Sequence, residues 1–240
     1  MPPQIPTAED FEPLSRTLPH AIHFPDPPES TTAILVLLHG LGDSHTPFAS
    51  FASAMNLPGV LCVSVRGTSP LPMAGEGSFH WGDDVLISGE TGATAAAGGG
   101  VDEDPGFKKA RDAIVDQLVQ GVLVDRCGWE KSDVMFFGFG QGGSLGLGIG
   151  AEGGYKGVVS VGGSLPLSML SSTSSVARQR GKSGTPVLAV QLGDAKVERM
   201  RQEFAHVDVV RWKRTGVSMP SNREEMFPIM KFFADRLKAW

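Results

Sequence analysis

Short runs of consecutive apolar residues alternate along the chain with longer segments whose apolar residues recur at helical spacing. The first clear run is "AILVLL" at residues 33–38, followed by histidine and glycine. Runs that are apolar at every position are typical of strands buried on both faces of a parallel sheet. Further strand-like runs lie at residues 59–67, 133–138, 157–163, 185–193 and 207–212. The pattern therefore predicts six central strands.

Helical segments separate most of these runs. One is predicted over residues 47–57, a second from an N-cap at Asp104 with Pro105 as its first residue to about Cys127, and a third from a capping box formed by Ser221 and Glu224. Strands alternating with helices predict an α/β fold with an open, mostly parallel sheet covered by helices on both faces. At 240 residues, 41% of them hydrophobic, we expect residues 1–240 to form a single domain.

Two segments depart from this alternation. Residues 1–30 are rich in proline, and we predict an extended lead-in around a short strand near residues 18–23. Between residues 68 and 104 the periodicity fails, and "GETGATAAAGGG" at 89–100 is of low complexity. So much glycine and so little apolar bulk favour a flexible surface insertion over residues 68–104.

Charge and composition exclude several classes of protein. The net charge of −5 argues against a nucleic-acid partner, because binding to phosphates requires clustered lysine and arginine. The longest apolar run has six residues, far fewer than the roughly 20 that span a bilayer, and the first residues do not resemble a secretory signal. Cys62 and Cys127 have no metal-ligand spacing. We expect a cytoplasmic protein without a transmembrane segment, metal or cofactor.

The segment "FFGFGQGGSL" at residues 136–145 matches two motifs. Its glycines at 138, 140 and 143 form the G-x-G-x-x-G pattern that cradles a dinucleotide at the start of a helix. That site also needs an acidic residue at the end of the next strand, about 20 positions further on, to hold the ribose. The next strand ends in "VGGSLP", which contains neither Asp nor Glu. A dinucleotide site through Gly138, Gly140 and Gly143 is therefore the less favoured alternative.

The second motif is the strand-to-helix elbow of hydrolases, G-x-S-x-G, here with Gly140 in the position of the nucleophilic serine. Such sites stabilise an oxyanion with the backbone N–H of the residue after the nucleophile and an N–H from the loop after an earlier strand. Gln141 follows the elbow, and Leu41 lies on the loop of "LLHGLGDS". We predict that these two residues supply the oxyanion-hole donors.

Four segments of the chain resemble the acyl-protein thioesterase and lysophospholipase-like carboxylesterase family, in corresponding order. They are "LLHGLGDS", "GFGQGGSLGL", "GVVSVGGSLP" and "FPIMKFFADRL". The resemblance implies a single-domain α/β-hydrolase fold with almost no lid and an ancestry of ester or thioester hydrolysis on acyl chains. The family reads G-F-S-Q-G-G at the elbow, so its nucleophile corresponds to Gly140.

The resemblance also places the other two triad positions. The family's acid aligns with Lys196 in "QLGDAKVE", and Asp194, two residues earlier, is the alternative acid. The family's histidine aligns with Met219, at the end of "GVSM". Glycine offers no nucleophile and a thioether cannot accept the proton that a general base must take. The implied triad is therefore not intact.

Several other residues are candidates for the pocket or for rescue of the chemistry. Ser44 and Ser164 are candidate pocket residues on loops near strand ends. Trp81, in "FHWGDD", resembles the W-F-D stretch of the family, which implies a role either in lining the acyl site or in packing. We expect Ser144 to be a helix-surface or packing serine and His39 to have a structural hydrogen-bonding role. The leading interpretation is a catalytically silent pseudo-hydrolase that binds a small acyl or ester-like ligand or a protein partner. The alternative is a divergent serine esterase or thioesterase with a relocated nucleophile.

Overall fold

The computed structural model of the chain describes residues 3–71, 74–83, 102, 104–171 and 181–238. Its strands are β1 (His20–His23), β2 (Ala33–Leu38), β3 (Val60–Val65), β4 (Ser69–Pro70), β5 (Phe79–His80), β6 (Val134–Phe139), β7 (Gly157–Val161), β8 (Val187–Val190) and β9 (Val207–Val210). Seven of them form one sheet in the order β1-β3-β2-β6-β7-β8-β9, while β4 and β5 form a separate hairpin. Only β1, at one edge, is antiparallel to its neighbour. The α/β-hydrolase type of sheet predicted from the sequence is thus present.

The helices lie on both faces of the sheet. They are α1 (Ala8–Phe11), α2 (His45–Met55), α3 (Lys108–Asp112), continued by a π-helix (Ala113–Arg126), α4 (Gln141–Ala151), α5 (Leu167–Ser171), α6 (Asp194–Glu203) and α7 (Arg223–Lys238). Apolar residues of α3, the π-helix, α4 and α6 share one core cluster, and those of α2 and α7 share the other. Because successive side chains of a strand point to opposite faces, Ile34 and Val36 enter the first cluster and Leu35 and Leu37 the second.

The predicted start of the second helix at Asp104 and Pro105 is wrong. The helix begins at Lys108, and its first N–H groups, those of Lys108 and Lys109, donate to the carboxylate of Asp83 at 2.7 and 2.8 Å. The carboxylate of Asp104 instead accepts the backbone N–H of Ser168 at 2.8 Å. The cap therefore comes from a residue 25 positions upstream, which no local motif could reveal.

The capping box predicted for the last helix is wrong as well. Helix α7 begins at Arg223, and the side-chain oxygen of Asn222 accepts the N–H of Glu225 at 3.0 Å. The carboxylate of Glu225, rather than that of Glu224, accepts the N–H of Ser221 at 2.8 Å. The carboxylate that accepts the Ser221 N–H is therefore one residue further along the chain than predicted.

The two atypical segments are partly ordered against the body of the protein. Within residues 1–30, β1 pairs with β3, and Phe11, Leu14 and Leu18 are buried. The described part of the 68–104 segment, residues 68–71, 74–83, 102 and 104, carries the β4–β5 hairpin and the fully buried Trp81. The low-complexity stretch at 89–100 lies outside the described residues. Among the described helices, none is long and apolar enough to cross a membrane.

Candidate active site

The elbow at Gly140 lies at the carboxyl edge of the sheet, between β6 and α4. Gly140 has φ +51° and ψ −118°, a backbone conformation that side-chain-bearing residues rarely adopt. Its N–H donates to the carbonyl of Val161 at 2.9 Å, and its own carbonyl accepts the N–H of Ser144 at 3.0 Å. A Cβ placed on Gly140 would meet no atom within 4 Å. The bent backbone of a nucleophile elbow is therefore present and faces open space.

The glycines around the elbow are explained by close packing. A Cβ on Gly142 would lie 2.3 Å from the carbonyl oxygen of Leu38, and one on Gly138 would lie 2.3 Å from the carbonyl oxygen of Gly142. A Cβ on Gly143 would lie 2.6 Å from the Oγ of Ser160. Helix α4 thus rests directly on the backbone of its neighbouring strands. These contacts account for the G-x-G-x-x-G pattern without a dinucleotide.

The residues predicted to supply oxyanion donors both carry an unpaired backbone N–H. Within the described chain, neither the N–H of Leu41 nor that of Gln141 has a hydrogen-bond acceptor. The N–H of Gln141 is at the first turn of α4, where helix N–H groups have no partner inside the helix. Both groups are available to an oxygen atom of a bound molecule.

The side chain of Gln141 links the elbow to the β4–β5 hairpin. Its Oε1 accepts the backbone N–H of Trp81 at 2.8 Å. The indole N–H of Trp81 in turn donates to the carbonyl of His39 at 2.8 Å. The fully buried Trp81 therefore joins the elbow to the loop that carries Leu41, a role in packing that the sequence interpretation left open.

His39 is a structural residue, as expected. Its Nδ1–H donates to the carbonyl of Gly40 at 2.7 Å, and its Nε2 accepts the N–H of Gly67 at 2.8 Å. Burial is the main reason that its pKa is lowered to about 4. The imidazole is therefore neutral and fixes the loops after β2 and β3 to each other.

The two residues at the position implied for the acid, Asp194 and Lys196, both lie in the first turn of α6. Asp194 begins α6, its side chain is 94% exposed, and it pairs with Arg211 at 2.5 Å. Lys196 lies in the first turn of the same helix, where its N–H donates to the carbonyl of Gly193. The ion pair of Asp194 thus connects α6 to the segment after β9.

Met219 lies on the loop after β9, partly buried against the core cluster of α2 and α7. Its carbonyl accepts a hydrogen bond from Nη2 of Arg214 at 2.8 Å. Gln191, at the end of β8 with φ +56°, donates to the carbonyls of Arg214 and Gly216 at 3.1 and 3.3 Å. Sequence reasoning missed Gln191 and Arg214, which hold this loop. The only sequence signal for them was their position, Gln191 near the end of the run at 185–193 and Arg214 just after the run at 207–212.

The candidate serines near the elbow have structural roles. Ser144 is buried, and its Oγ donates to the carbonyl of Gly140 at 3.4 Å and accepts the N–H of Ser164 at 3.1 Å. The structure thus brings Ser164 to the elbow through Ser144, which is the predicted packing serine. Ser44 precedes α2 as its N-cap residue and does not cap it with its side chain.

All six histidines fall within the described residues: His20, His23, His39, His45, His80 and His206. None of their imidazoles forms a hydrogen bond with a serine, threonine or cysteine side chain in the described part of the chain. Nor do the described residues include a group of three or more His, Cys, Asp or Glu side chains that could hold a metal ion. Within the described residues, no serine, threonine or cysteine side chain is therefore hydrogen-bonded to an imidazole.

Comparisons with known proteins found similar sequences and folds. The chain is 29% identical over 220 residues to an uncharacterized hydrolase of Schizosaccharomyces pombe, covering 85% of this chain and 83% of that protein. Its fold is similar to that of acyl-protein thioesterase 2 of Zea mays, with a TM-score of 0.66, 19% identity and coverage of 91% and 98% of the two chains. It is also similar to a carboxylesterase of Bacillus cereus, with a TM-score of 0.64, 14% identity and coverage of 95% and 100%.

The structural similarities, at such low identity, concern the fold. The sequence profile of the phospholipase/carboxylesterase family is more specific, since it matches residues 21–232. This range includes the elbow, the loop that carries Leu41 and the loop of Met219. The chain belongs to the phospholipase/carboxylesterase family.

Proposed function

We propose that this protein is a catalytically silent member of its family, which binds a small acyl or ester-like ligand at the elbow without hydrolysing it. The observation that carries this proposal is the combination of an elbow-type backbone with glycine as its central residue, Gly140. Met219 at the position implied for the base and the exposed, paired Asp194 support it. Removal of a complete triad costs about 10⁶-fold in kcat in a serine protease.

Binding is proposed because the groups that would hold a carbonyl oxygen are retained. Within the described chain, two backbone N–H groups have no acceptor, that of Leu41 on the loop after β2 and that of Gln141 directly after Gly140. Such donors bind a polarised oxygen whether or not a nucleophile is next to it. We further propose that the protein acts in the cytoplasm.

The decisive experiment is to incubate the pure protein with short-chain p-nitrophenyl esters and with a fluorophosphonate probe, followed by peptide mass spectrometry. We expect no ester turnover above the solvent rate and no labelled serine. Stoichiometric labelling of any serine would overturn the proposal and would identify the relocated nucleophile of a divergent esterase. Ser144→Ala is the matched variant, because Ser144 is the serine nearest the elbow along the chain.

Binding is tested separately by titrating the protein with a short-chain fatty-acid methyl ester and observing the amide signals of Leu41 and Gln141 by NMR. We expect saturable shifts at both amides. In Gly140→Asn the side chain would project into the open space, and asparagine tolerates positive φ better than most residues. Binding should weaken in that variant, and unchanged binding would place the ligand elsewhere.

A further inference from the structure

Arg66 is an unpaired arginine at the carboxyl edge of the sheet, directly after β3. It is half-buried, and its guanidinium lies over the ring of Phe79, with Cζ 4.4 Å from the ring centroid. Its Nε is buried without a hydrogen-bond partner. No carboxylate of the described chain forms an ion pair with it, whereas Arg111, Arg126, Arg211 and Arg214 each have one.

His45, the first residue of α2, lies close to the end of β3, because its backbone carbonyl accepts the hydroxyl of Ser64, two residues before Arg66, at 2.7 Å. Its Nδ1 is also buried without a partner. The pKa of His45 is lowered mainly by burial, and the charged neighbours that lower it further are Arg66 and His20. His20 is the third basic residue of this group, and its Nδ1 lies 2.8 Å from the carbonyl oxygen of Leu18. The groups acting on this imidazole are thus basic, and no acid balances them.

Leaving such groups without partners is costly. A guanidinium carries five N–H donors, and a donor removed from water without an acceptor costs about 1 to 3 kcal/mol, more for charged groups. The planar fork of arginine matches phosphate and carboxylate oxygens. Stacking on an aromatic ring, as on Phe79, keeps the fork oriented.

The position of Arg66 connects it to the elbow region. The guanidinium stacks on Phe79, whose carbonyl accepts the N–H of Gly42 at 2.9 Å and whose N–H donates to the carbonyl of Asp43 at 3.0 Å. Gly42 and Asp43 lie on the loop that carries Leu41. In the sheet, Val65 pairs with Leu38 and Leu38 with Gly138. Two strand spacings, roughly 10 Å, therefore separate the backbone after β3 from that after β6.

From this cluster we propose that Arg66 and His45 form a binding site for an oxyanion group, a phosphate or a carboxylate. Arg66 binds it with its guanidinium fork and His45 contributes a ring N–H. The site is distinct from the donors of Leu41 and Gln141, and it exists whether or not the elbow hydrolyses an ester.

The test uses inorganic phosphate and acetate as probes on the full chain, titrated while the imidazole signals of His45 are observed by NMR. Saturable shifts with phosphate alone identify a phosphate site, and saturable shifts with acetate alone a carboxylate site. We expect Arg66→Gln to weaken binding by about tenfold or more, the loss of one charge-assisted contact. Arg199→Gln removes an exposed arginine of α6 and should leave binding unchanged.

Arg66→Lys is the second variant, since it keeps the charge and the aliphatic stem but loses the fork. Arg66→Lys should fold like the unaltered protein, and it should bind phosphate or acetate more weakly than the unaltered protein does. Equal binding by the unaltered protein, Arg66→Gln and Arg66→Lys would overturn the proposal, as would the absence of saturable binding of both anions. The methyl-ester titration at Leu41 and Gln141 should be unaffected by Arg66→Gln, which separates this site from the proposed function of the elbow.

Discussion

The guanidinium Nε of Arg214 lies 2.8 Å from the carboxylate Oε1 of Glu225, and this ion pair ties the loop after β9 to the first turn of α7. The Glu225 side chain is only 10% exposed. The same guanidinium stacks on Trp212 at 4.7 Å and donates to the carbonyl of Met219. The loop to which the family resemblance assigns the histidine position, Met219, is thus held by an arginine and a glutamate.

Glu225→Gln should destabilise the protein near neutral pH. The N–H of Ser221 is the main group that holds the pKa of Glu225 below its ordinary value of 4.5, and the Ser221 hydroxyl and Arg214 add to it. A lowered carboxyl pKa stabilises the fold above about pH 4.5, and this contribution is lost as the pH falls through the folded-state pKa. Denaturant unfolding should be measured at neutral pH and at a pH below the folded-state pKa of Glu225. The free energy of unfolding of the variant should be lower than that of the unaltered protein at neutral pH and equal to it in acid.

Glu224→Gln is the control for that comparison. Glu224 and its partner Lys213 are 79% and 89% exposed, and an exposed ion pair contributes well under about 1 kcal/mol. A loss of stability in Glu224→Gln as large as that in Glu225→Gln would contradict the role assigned to the buried carboxylate.

His39 should titrate far below the ordinary histidine range. Its pKa is lowered from 6.5 to about 4 by burial, so the unfolded chain binds a proton more readily than the folded one. Stability is complete above pH 6.5 and falls by up to about 3 kcal/mol as the pH drops toward 4. An NMR titration of the six imidazoles checks this, and a His39 signal that titrates near neutrality would refute it.

Two glycines of the elbow segment should respond very differently to alanine. In Gly140→Ala the added methyl group would lie in open space, so the only expected cost is that of holding alanine at positive φ. This should lower the free energy of unfolding by about 1 to 3 kcal/mol. Gly142→Ala drives its Cβ to within 2.3 Å of the carbonyl of Leu38, so α4 must move off β2. We expect the second variant to lose more than about 4 kcal/mol or to fail to fold. Equal midpoints in urea would show that α4 adapts more easily than its packing implies.

Restoring the nucleophile alone should not restore activity. In Gly140→Ser the hydroxyl would face the open space, but Met219 offers no base to accept its proton. Adding Met219→His supplies an imidazole on the loop held by Arg214. We expect Gly140→Ser to stay at the solvent rate with p-nitrophenyl esters and the double variant to exceed it. Substantial hydrolysis by the single variant would mean that another residue serves as the base.

Gln141→Ala should loosen the hairpin next to the elbow. It removes the oxygen that accepts the N–H of Trp81 at 2.8 Å. An unsatisfied N–H beside a buried indole costs about 1 to 3 kcal/mol. Amide hydrogen exchange at Trp81 should accelerate, while Gln141→Glu, which keeps an acceptor oxygen, should retain protection. Unchanged exchange in Gln141→Ala would show that the hairpin does not depend on this bond.

The order of strands and helices could be predicted because it depends on local spacing. Each of β2, β3, β7, β8 and β9 lies within an apolar run identified from the sequence, and β6 extends one residue past its run, since a strand covered on both faces must be apolar throughout. The elbow at Gly140 was also predictable, because a strand, a glycine cluster and a helix follow each other directly in the chain.

Residues brought together over long distances could not be predicted. Asp83 caps a helix 25 positions away, Gln191 holds a loop 23 positions away, and Trp81 reaches Gln141 across 60 residues. Each contact depends on how loops meet at the edge of the sheet, and loop residues carry no periodicity from which their partners can be read.

By itself the sequence therefore determined the α/β architecture and the glycine at the centre of the elbow, because hydrophobic burial and backbone geometry act on neighbouring residues. Only the tertiary structure decided that Asp194 pairs with Arg211, that Arg214 and Glu225 hold the loop of Met219, and that Arg66 stacks on Phe79. The physical reason is that charges and hydrogen-bond donors are matched through space after the chain has folded, so their partners depend on contacts that local sequence does not encode.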